Sequence, residues 1–219
     1  LLTSIANLPS TYRDQGWWKE AESLELQVMA ASKRVLGEEH PDMMTSMANL
    51  ASTYSDQGRW KEAESLEVQV MAASKRVRGE EHPSTLTSMA NLASTYRNQG
   101  RWKEAKELQA EELHICSRVL GEEHPDTLTS MANLASTYSD QGRWKEAESL
   151  EVQVMEASKR VLGEEHPDTL SSMANLALSW HIQGRADDRS LHLMEQCVQL
   201  QRRVLGLDHP HTMSSSSTL

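Results

Sequence analysis

Four histidines are the residues best placed to do chemistry, because each follows two glutamates and precedes a proline. They recur every 42 residues, as His40, His82, His124 and His166. A zinc ion needs its ligands about 2.1 Å from a common point, whereas packed helices lie about 10 Å apart. Histidines from successive copies therefore do not converge on one ion. We expect each to cap a helix or order the loop before its proline, and we expect no metal site.

Neither the cysteines nor the motifs point to an enzyme. Cys116 and Cys197 lie two copies apart, too far for the Cα separation of about 6 Å that a disulfide requires, and two cysteines fit a reducing compartment. The sequence contains no G-x-S-x-G, no G-x-x-x-x-G-K-S/T and no H-E-x-x-H. An enzyme needs one unique constellation, and this chain mostly repeats itself. We expect no catalysis, no cofactor and a cytoplasmic location.

The charge balance disfavours two classes of partner. The 219 residues include 22 Lys+Arg against 32 Asp+Glu, a formal net charge of −10. Nucleic-acid binders and polybasic membrane-surface segments need clustered positive charge, and no run approaches the roughly 18 apolar residues that span a bilayer. We expect no nucleic-acid and no membrane partner. With 5% aromatic residues and no Phe, the chain is also poorly supplied for one large globular core.

The glycines show how the chain is organised. The ten glycines follow one another at steps of 21 residues, apart from a last step of 22. They alternate between two contexts, mainly Q-G and G-E-E-H-P, so the unit is 42 residues with two halves. The four tyrosines keep the same 42-residue spacing. A tandem repeat of this length is typical of solenoids, in which neighbouring units share a continuous core.

Each half of the unit predicts one helix. In the second copy, the apolar stripes with a 3.6-residue period are Met47, Leu50, Ala51 and Tyr54, then Ala63, Leu66, Val70, Ala73 and Val77. Gly58 and Gly79 follow the two stripes as helix ends. The proline of H-P suits the first turn of the next helix, where no N–H is needed. The sequence therefore predicts an all-α fold with two helices per copy, of about 14 and 18 residues.

The stretch Asn49–Glu64, N-L-A-S-T-Y-S-D-Q-G-R-W-K-E-A-E, resembles a tetratricopeptide repeat. The 42-residue length and the H-P-D-T-L before the first helix make it similar to the kinesin-light-chain type. The resemblance covers essentially the whole chain and implies a right-handed superhelical solenoid of antiparallel helix hairpins. We expect a single solenoid over 1–219, with repeats at 1–40, 41–82, 83–124, 125–166 and 167–209 and a partial terminal helix at 210–219.

The resemblance also implies that a peptide or protein binds in a groove lined by the first helix, helix A, of each copy. If Met47, Leu50 and Ala51 point into the stack, the opposite face of helix A carries rows of amides and hydroxyls. These rows are Asn7, Asn49, Asn91, Asn133 and Asn175, with Ser52, Ser94 and Ser136. A row of amides can hydrogen-bond the backbone of an extended peptide. Alternatively each asparagine braces a neighbouring helix, and the two roles are compatible.

One groove position varies between copies that are otherwise alike. It reads Arg13, Ser55, Arg97, Ser139 and His181. We hypothesise that Arg13 and Arg97 tune the specificity for the ligand, and neutral drift of exposed residues is the alternative. The groove lacks the paired Lys/Arg with which some relatives clamp acidic ligands, so we do not carry over a specificity for acidic peptides.

The third copy departs most from the others in its second helix, helix B. Glu112 stands where Val70 and Val154 stand in other copies, on the buried stripe. Because an unpaired buried carboxylate is costly, Glu112 must reach solvent, find a partner or mark a local shift in the stack. It is either a specialised contact or a tolerated substitution.

The two ends of the chain carry their own expectations. Leu1 aligns with Met43, inside a helix, so we expect the chain to be a piece of a longer protein. Pro9 stands at the place of Ala51 in mid-helix, so we expect a kinked or frayed first helix. At the other end a run of serines gives a polar last helix, which suits the end of a solenoid.

Three functions fit these observations. Similar repeats form the C-terminal sensor arrays of fungal NOD-like receptors, where near-identical copies are typical. Here Thr45–Val77 and Thr129–Val161 differ only at Ala72 against Glu156, which favours the ligand-sensing part of an intracellular signalling receptor. The alternatives are a cargo adaptor like kinesin light chain and a structural rod that associates end to end. We expect a monomer.

Overall fold

A computed structural model describes residues 11–13, 15–37, 40–184 and 188–218 of the chain. All regular secondary structure within these ranges is helical, which confirms the predicted all-α class. Asn7 and Pro9 lie outside the described residues, so the expectation of a kinked first helix stays a prediction.

The helices alternate in length, as two unequal halves of a repeat require. Helices of 19 and 16 residues succeed one another as far as Ile182, each a little longer than predicted. They are α1 (Trp18–Leu36), α2 (Pro41–Asp56), α3 (Trp60–Arg78), α4 (Pro83–Asn98), α5 (Trp102–Leu120), α6 (Pro125–Asp140), α7 (Trp144–Leu162) and α8 (Pro167–Ile182), followed by α9 (Asp188–Val204) and α10 (Pro210–Thr218).

The residues group into two compact units, Leu1–Leu108 and Gln109–Leu219, and the boundary in the sequence falls within α5. In unit 1, α2 packs against α1 and α3, and α3 packs against α4. In unit 2, α7 packs against α6 and α8, and α9 packs against α8 and α10. Successive helix pairs thus pack side by side, which confirms the solenoid architecture. The division of the chain into repeats at the stated boundaries stays a prediction.

The histidine before each proline caps helix A. His82 lies in extended backbone with φ −70° and ψ 137°, and its Nδ1 accepts the backbone N–H of Ser84 at 3.1 Å. The same bond forms at the start of α2, α6 and α8, from the residue two positions after His40, His124 and His166. Proline occupies the first helical position and has no N–H to satisfy. The predicted capping role of the histidines is therefore confirmed.

Helix A ends at a glycine in a backbone conformation that other residues rarely adopt. Gly58 has φ +72°, and the N–H of the following Arg59 returns to the carbonyl of Tyr54 at 2.8 Å. A side chain at this φ would be strained, so the 42-residue spacing of glycine follows from the turn between helix A and helix B.

Short apolar and small side chains form the cores of both units. In unit 1, α2 and α3 meet through Met43, Met47 and Val70. In unit 2, the equivalent contact of α6 and α7 uses Leu128 and Val154. Because each unit buries its apolar side chains in small contacts between neighbouring helices, neither unit needs a large aromatic core.

The buried row of helix B differs in part from the predicted stripe. Val70 is buried as predicted, but Val77 is 45% exposed in the last turn of α3. Glu67 and Ser74 are buried instead, because the row i, i+4, i+7, i+11 that begins at Ala63 faces the neighbouring helices. The hydroxyl of Ser74 finds a partner there in the sulfur of Met44, 3.6 Å away.

An ion pair joins successive copies at the helix ends away from the histidines, and a cation–π contact within one copy holds the arginine of that pair. The guanidinium Cζ of Arg59 lies 4.1 Å from the ring centre of Tyr54, and its Nη1 donates to Glu22 Oε2 at 2.8 Å. Burial alone would raise the pKa of Glu22, but the hydrogen bonds from Arg59 and Gln57 hold it below its usual value. We call this arrangement the arginine latch.

The arginine latch recurs with one informative replacement. In the next copy Arg101 covers Tyr96 at 4.2 Å and donates to Glu64 at 2.7 Å. Glu148 is the repeat equivalent of Glu64, and it accepts the indole Nε1–H of Trp180 at 2.9 Å. The tryptophan that replaces tyrosine in the fifth copy therefore supplies a hydrogen-bond donor to this glutamate.

Removing one histidine cap should destabilise the fold measurably. His82→Ala leaves the N–H of Ser84 without its acceptor, and we expect a loss of about 1 kcal/mol in the free energy of unfolding. His82→Asn retains a side-chain acceptor at the same place and should recover most of this loss. Urea unfolding followed by circular dichroism measures both variants. Equal destabilisation by Asn and Ala would show that capping is not what His82 contributes.

Candidate functional site

Two equivalent grooves open between consecutive A helices. The unit 1 groove lies between α2 and α4 with α3 behind them, and holds a cavity of about 180 Å³. The unit 2 groove lies between α6 and α8 with α7 behind them, and its cavity measures about 160 Å³. Residues two copies apart line the two grooves in the same way. The matching pairs include Thr45 and Thr129, Glu67 and Glu151, Val70 and Val154, Ser88 and Ser172, and Asn91 and Asn175.

The predicted asparagine row lies along these grooves. Asn91 lines the unit 1 groove, and both Asn133 and Asn175 line the unit 2 groove. Asn49 is half-buried on α2, and Asn7 lies outside the described residues. Within the described part of the chain, no hydrogen bond joins the amide side chain of Asn91, Asn133 or Asn175 to another helix. These amides are available to a ligand.

The predicted serines are less uniform than the asparagines. Ser136 lines the unit 2 groove, and its hydroxyl donates to the carbonyl of Ala132 at 3.0 Å. Ser52 is half-buried and makes the same bond to Ala48 at 3.1 Å, whereas Ser94 is exposed. Serine and threonine hydroxyls in a helix often donate in this way to the preceding turn.

The predicted arginines do not line either groove. Arg13 Nη1 donates to the backbone carbonyl of Asn49 at 3.4 Å, so this side chain links the first copy to α2. Arg97 is half-buried in the last turn of α4 and interacts with other residues. Their role in tuning specificity stays a prediction.

A row of glutamates on helix B was not among the predicted site residues. Glu67 lines the unit 1 groove and is 6% exposed, and Glu151 lines the unit 2 groove. In each, Oε2 is buried without a hydrogen-bond partner among the described residues. Burial raises the pKa of both carboxyls, and the hydroxyls of Thr95 and Ser179 lower it only in part.

The sequence did contain a signal for these glutamates. Glu25, Glu67 and Glu151 occupy one position of the 42-residue repeat, where the third copy has Gln109. All four stand three residues before the position of the buried Val70, so they share its side of the helix. A charged residue kept at a buried position is typical of a specific contact.

The third copy keeps a buried carboxylate but moves it by one turn. Glu112 is 5% exposed and accepts the hydroxyl of Ser130 at 2.8 Å, so it finds a partner, as one of the sequence-based alternatives proposed. Burial raises the pKa of Glu112 despite this bond. One turn earlier, Gln109 Nε2 donates to the backbone carbonyl of Asn133 at 3.3 Å. A neutral amide is therefore accommodated where the other copies have glutamate.

Within the described ranges, neither a metal site nor a membrane-spanning helix accompanies the grooves. No group of His, Cys, Asp and Glu side chains is arranged to hold a metal ion there, and no helix there combines the length and apolarity needed to cross a bilayer. Cys116 and Cys197 are buried free thiols.

Stacked helix hairpins with repeated grooves define a helical-repeat scaffold, and the comparisons give its family. Models of the tetratricopeptide repeat match residues 1–42, 43–84, 89–159 and 169–211. The chain belongs to the tetratricopeptide repeat family. Proteins of this family generally serve as scaffolds for protein–protein interaction. No curated protein matches the chain.

Solved structures place the chain near kinesin light chains. Two crystal structures of a Podosopora anserina protein, described as a kinesin light chain with nearly identical TPR-like repeats, are 34% identical to it. The match with TM-score 0.81 covers 93% of this chain and 96% of that chain. BtubC (BKLC) from P. vanneervenii shares the fold at 19% identity, with TM-score 0.78 over 96% of this chain and 83% of that chain. A Rap protein complexed with Competence and Sporulation Factor shares it at 9% identity, with TM-score 0.73 over 97% of this chain and 62% of that chain.

The buried carboxylate of Glu67 should reduce stability at neutral pH. Because its pKa is raised in the folded state, the folded chain holds this proton more tightly than the unfolded chain. The contribution of Glu67 to the free energy of unfolding is therefore most favourable at a pH below the usual carboxyl pKa. It is lost as the pH rises through the raised pKa of the folded chain. We expect Glu67→Gln to increase the free energy of unfolding by about 1–3 kcal/mol at pH 8 and to have little effect at pH 4.

Glu64 provides a control of opposite sign on the same helix. Hydrogen bonds from Arg101 and Gln99 hold its pKa below the usual value, although burial acts to raise it. Glu64→Gln should therefore lower stability at pH 8, and this loss should shrink as the pH falls. Urea unfolding at several pH values measures both variants. A loss of stability in Glu67→Gln at pH 8 would show that the carboxylate is satisfied in the folded chain.

Proposed function

We propose that the chain binds an extended peptide, or an extended segment of a protein, in the grooves between its A helices. The observation that supports this function is the recurrence of one groove in both units, each with an asparagine amide that no neighbouring helix uses. An amide side chain offers one acceptor and two donors. It therefore matches the alternating C=O and N–H groups of an extended backbone without requiring a particular side chain.

We also propose that this array is the ligand-sensing part of a larger signalling receptor in the cytoplasm. The near identity of Thr45–Val77 and Thr129–Val161 supports this role, as does the similarity to a fungal protein with nearly identical repeats. A nucleotide-binding domain encoded before the array would support the receptor.

The second candidate is a cargo adaptor, and the described kinesin-light-chain character of the Podosopora anserina protein favours it. An adaptor of that kind would bind its cargo through the same grooves. A heptad coiled coil encoded before the array would support the adaptor rather than the receptor.

Replacing two groove asparagines should strongly weaken peptide binding without unfolding the chain. We would select peptides from a random-sequence display library against the wild-type chain, and measure their dissociation constants by fluorescence anisotropy. Asn91→Leu combined with Asn133→Leu removes one amide from each groove, and we expect binding to fall by more than about tenfold. The helical circular dichroism signal should be unchanged.

Gln69→Leu combined with Gln153→Leu is the matched control. These amides occupy equivalent exposed positions on α3 and α7, and each donates only to the preceding turn of its own helix or to a serine there. The control makes the same chemical change outside the grooves and should retain wild-type affinity. If the asparagine variant binds the selected peptides as tightly as the control, the ligand site lies elsewhere.

A further inference from the structure

Six of the hydroxyl groups that line the grooves are left to act as acceptors toward a ligand. Each donates its proton to a carbonyl of its own helix at 2.6–3.1 Å, which leaves the oxygen lone pairs facing the groove. These hydroxyls belong to Thr45, Thr87 and Ser88 in unit 1, and to Thr129, Ser136 and Ser172 in unit 2. A ligand group rich in N–H donors is the complement of such a lining.

A carboxylate completes the acceptor set in each groove. Glu67 is 6% exposed, lines the unit 1 groove and has one oxygen without a hydrogen-bond partner among the described residues. Glu151 stands at the same place in the unit 2 groove, also with one unpartnered oxygen. A buried carboxylate oxygen without a hydrogen-bond partner is costly in the free protein, and a cation brought by a ligand would reduce that cost.

The size of the cavities limits what each groove can hold. An apolar cavity of about 150 Å³ accommodates a benzene molecule, and the two cavities measure about 180 and 160 Å³. Each is therefore large enough for one long side chain, and too small for a folded partner or a cofactor.

The two grooves differ at their rims, and this difference predicts which groove binds a positively charged group more tightly. In unit 1, Arg78 lies at the rim and donates to the hydroxyl of Ser84. In unit 2, the equivalent residues are Leu162 and Asp168, so one cation is absent from the lining and one carboxylate is added. The unit 2 groove is the more favourable site for a positive charge.

We propose that each groove takes the side chain of a lysine or arginine from a basic extended peptide, with Glu151 as the principal specificity-determining residue and Glu67 as the weaker one. This inference rests on the proposed peptide-binding function and adds the chemical class of the peptide. The amides of Asn133 and Asn175 hold the peptide backbone, while the cation reaches the carboxylate behind them. The net charge of −10 attracts a basic ligand at long range.

The test compares charged peptides with uncharged analogues of similar size. From the display selection described above, the tightest peptides that contain arginine or lysine are resynthesised with citrulline for arginine or norleucine for lysine. The ratio of the two dissociation constants, measured for the wild-type chain, is the charge preference. We expect a preference of about tenfold or more, and because this change is made in the peptide it does not perturb the folding of the protein.

Three variants then assign the preference to a residue. Glu151→Gln should reduce the ratio to near one, and Glu67→Gln should reduce it less. Glu156→Gln removes an exposed carboxylate from the same helix as Glu151 and should leave the ratio unchanged. The neutral Gln109 of the third copy shows that glutamine fits at this repeat position, and circular dichroism checks that each variant is folded.

The outcomes separate the two proposals. If peptides bind, lose affinity in the double asparagine variant and show no charge preference, the basic-peptide inference is wrong and the peptide-binding function stands. If the Glu151→Gln variant shows the same ratio of dissociation constants as the wild-type chain, the basic-peptide inference is also wrong. If no peptide is selected, or if the double asparagine variant binds like wild type, both proposals are wrong.

Discussion

The structure depends on one packing constraint: no helix of the repeat has enough apolar surface to be stable alone. Within the two units, α3, α7 and α9 each pack against the helix A before them and the helix A after them, so the buried row of each must satisfy two neighbours at once. Small residues such as Ala63 let the helices approach closely, and Val70 fills the space between them. The groove follows from the same geometry, because two A helices that rest on one helix B leave a channel between them. The scaffold and the candidate site are thus products of a single arrangement.

The same constraint explains why a carboxylate in this row is informative. Glu67 and Glu151 occupy positions where an apolar residue would stabilise the stack, and burial disfavours their charged form. Three copies have a glutamate at this position, where its burial lowers the stability of the stack. In the third copy the buried carboxylate is Glu112, which lies one turn later and pairs with Ser130. A stable scaffold does not need these groups, which supports their assignment to recognition rather than to folding.

The sequence predicted those features that are set by a few neighbouring residues. The 42-residue spacing of the glycines predicted both helices of each copy. Gly58 and His82 act at the helix ends as expected, because the geometry of a turn or a cap depends on neighbouring residues only. Which side of helix B is buried was predicted only in part. Apolar periodicity assigned Val77 to the core and passed over Glu67, because a polar residue in the buried row is recognisable only once the helices that face it are known. The partner of Glu112 could not be named for the same reason, since Ser130 belongs to the following helix.

The equivalence of the two grooves has an evolutionary consequence. Thr45–Val77 and Thr129–Val161 differ at a single position, and each groove is built from two consecutive A helices and the helix between them. A recombination event that adds or removes whole copies would therefore rejoin surfaces of the same chemistry. Such an event would lengthen or shorten the row of grooves in steps of one copy while each helix contact is preserved, and under the proposed function the length of peptide that is bound would change in the same steps. Point substitutions at the rim, such as Asp168 against Ser84, would then diversify the copies individually.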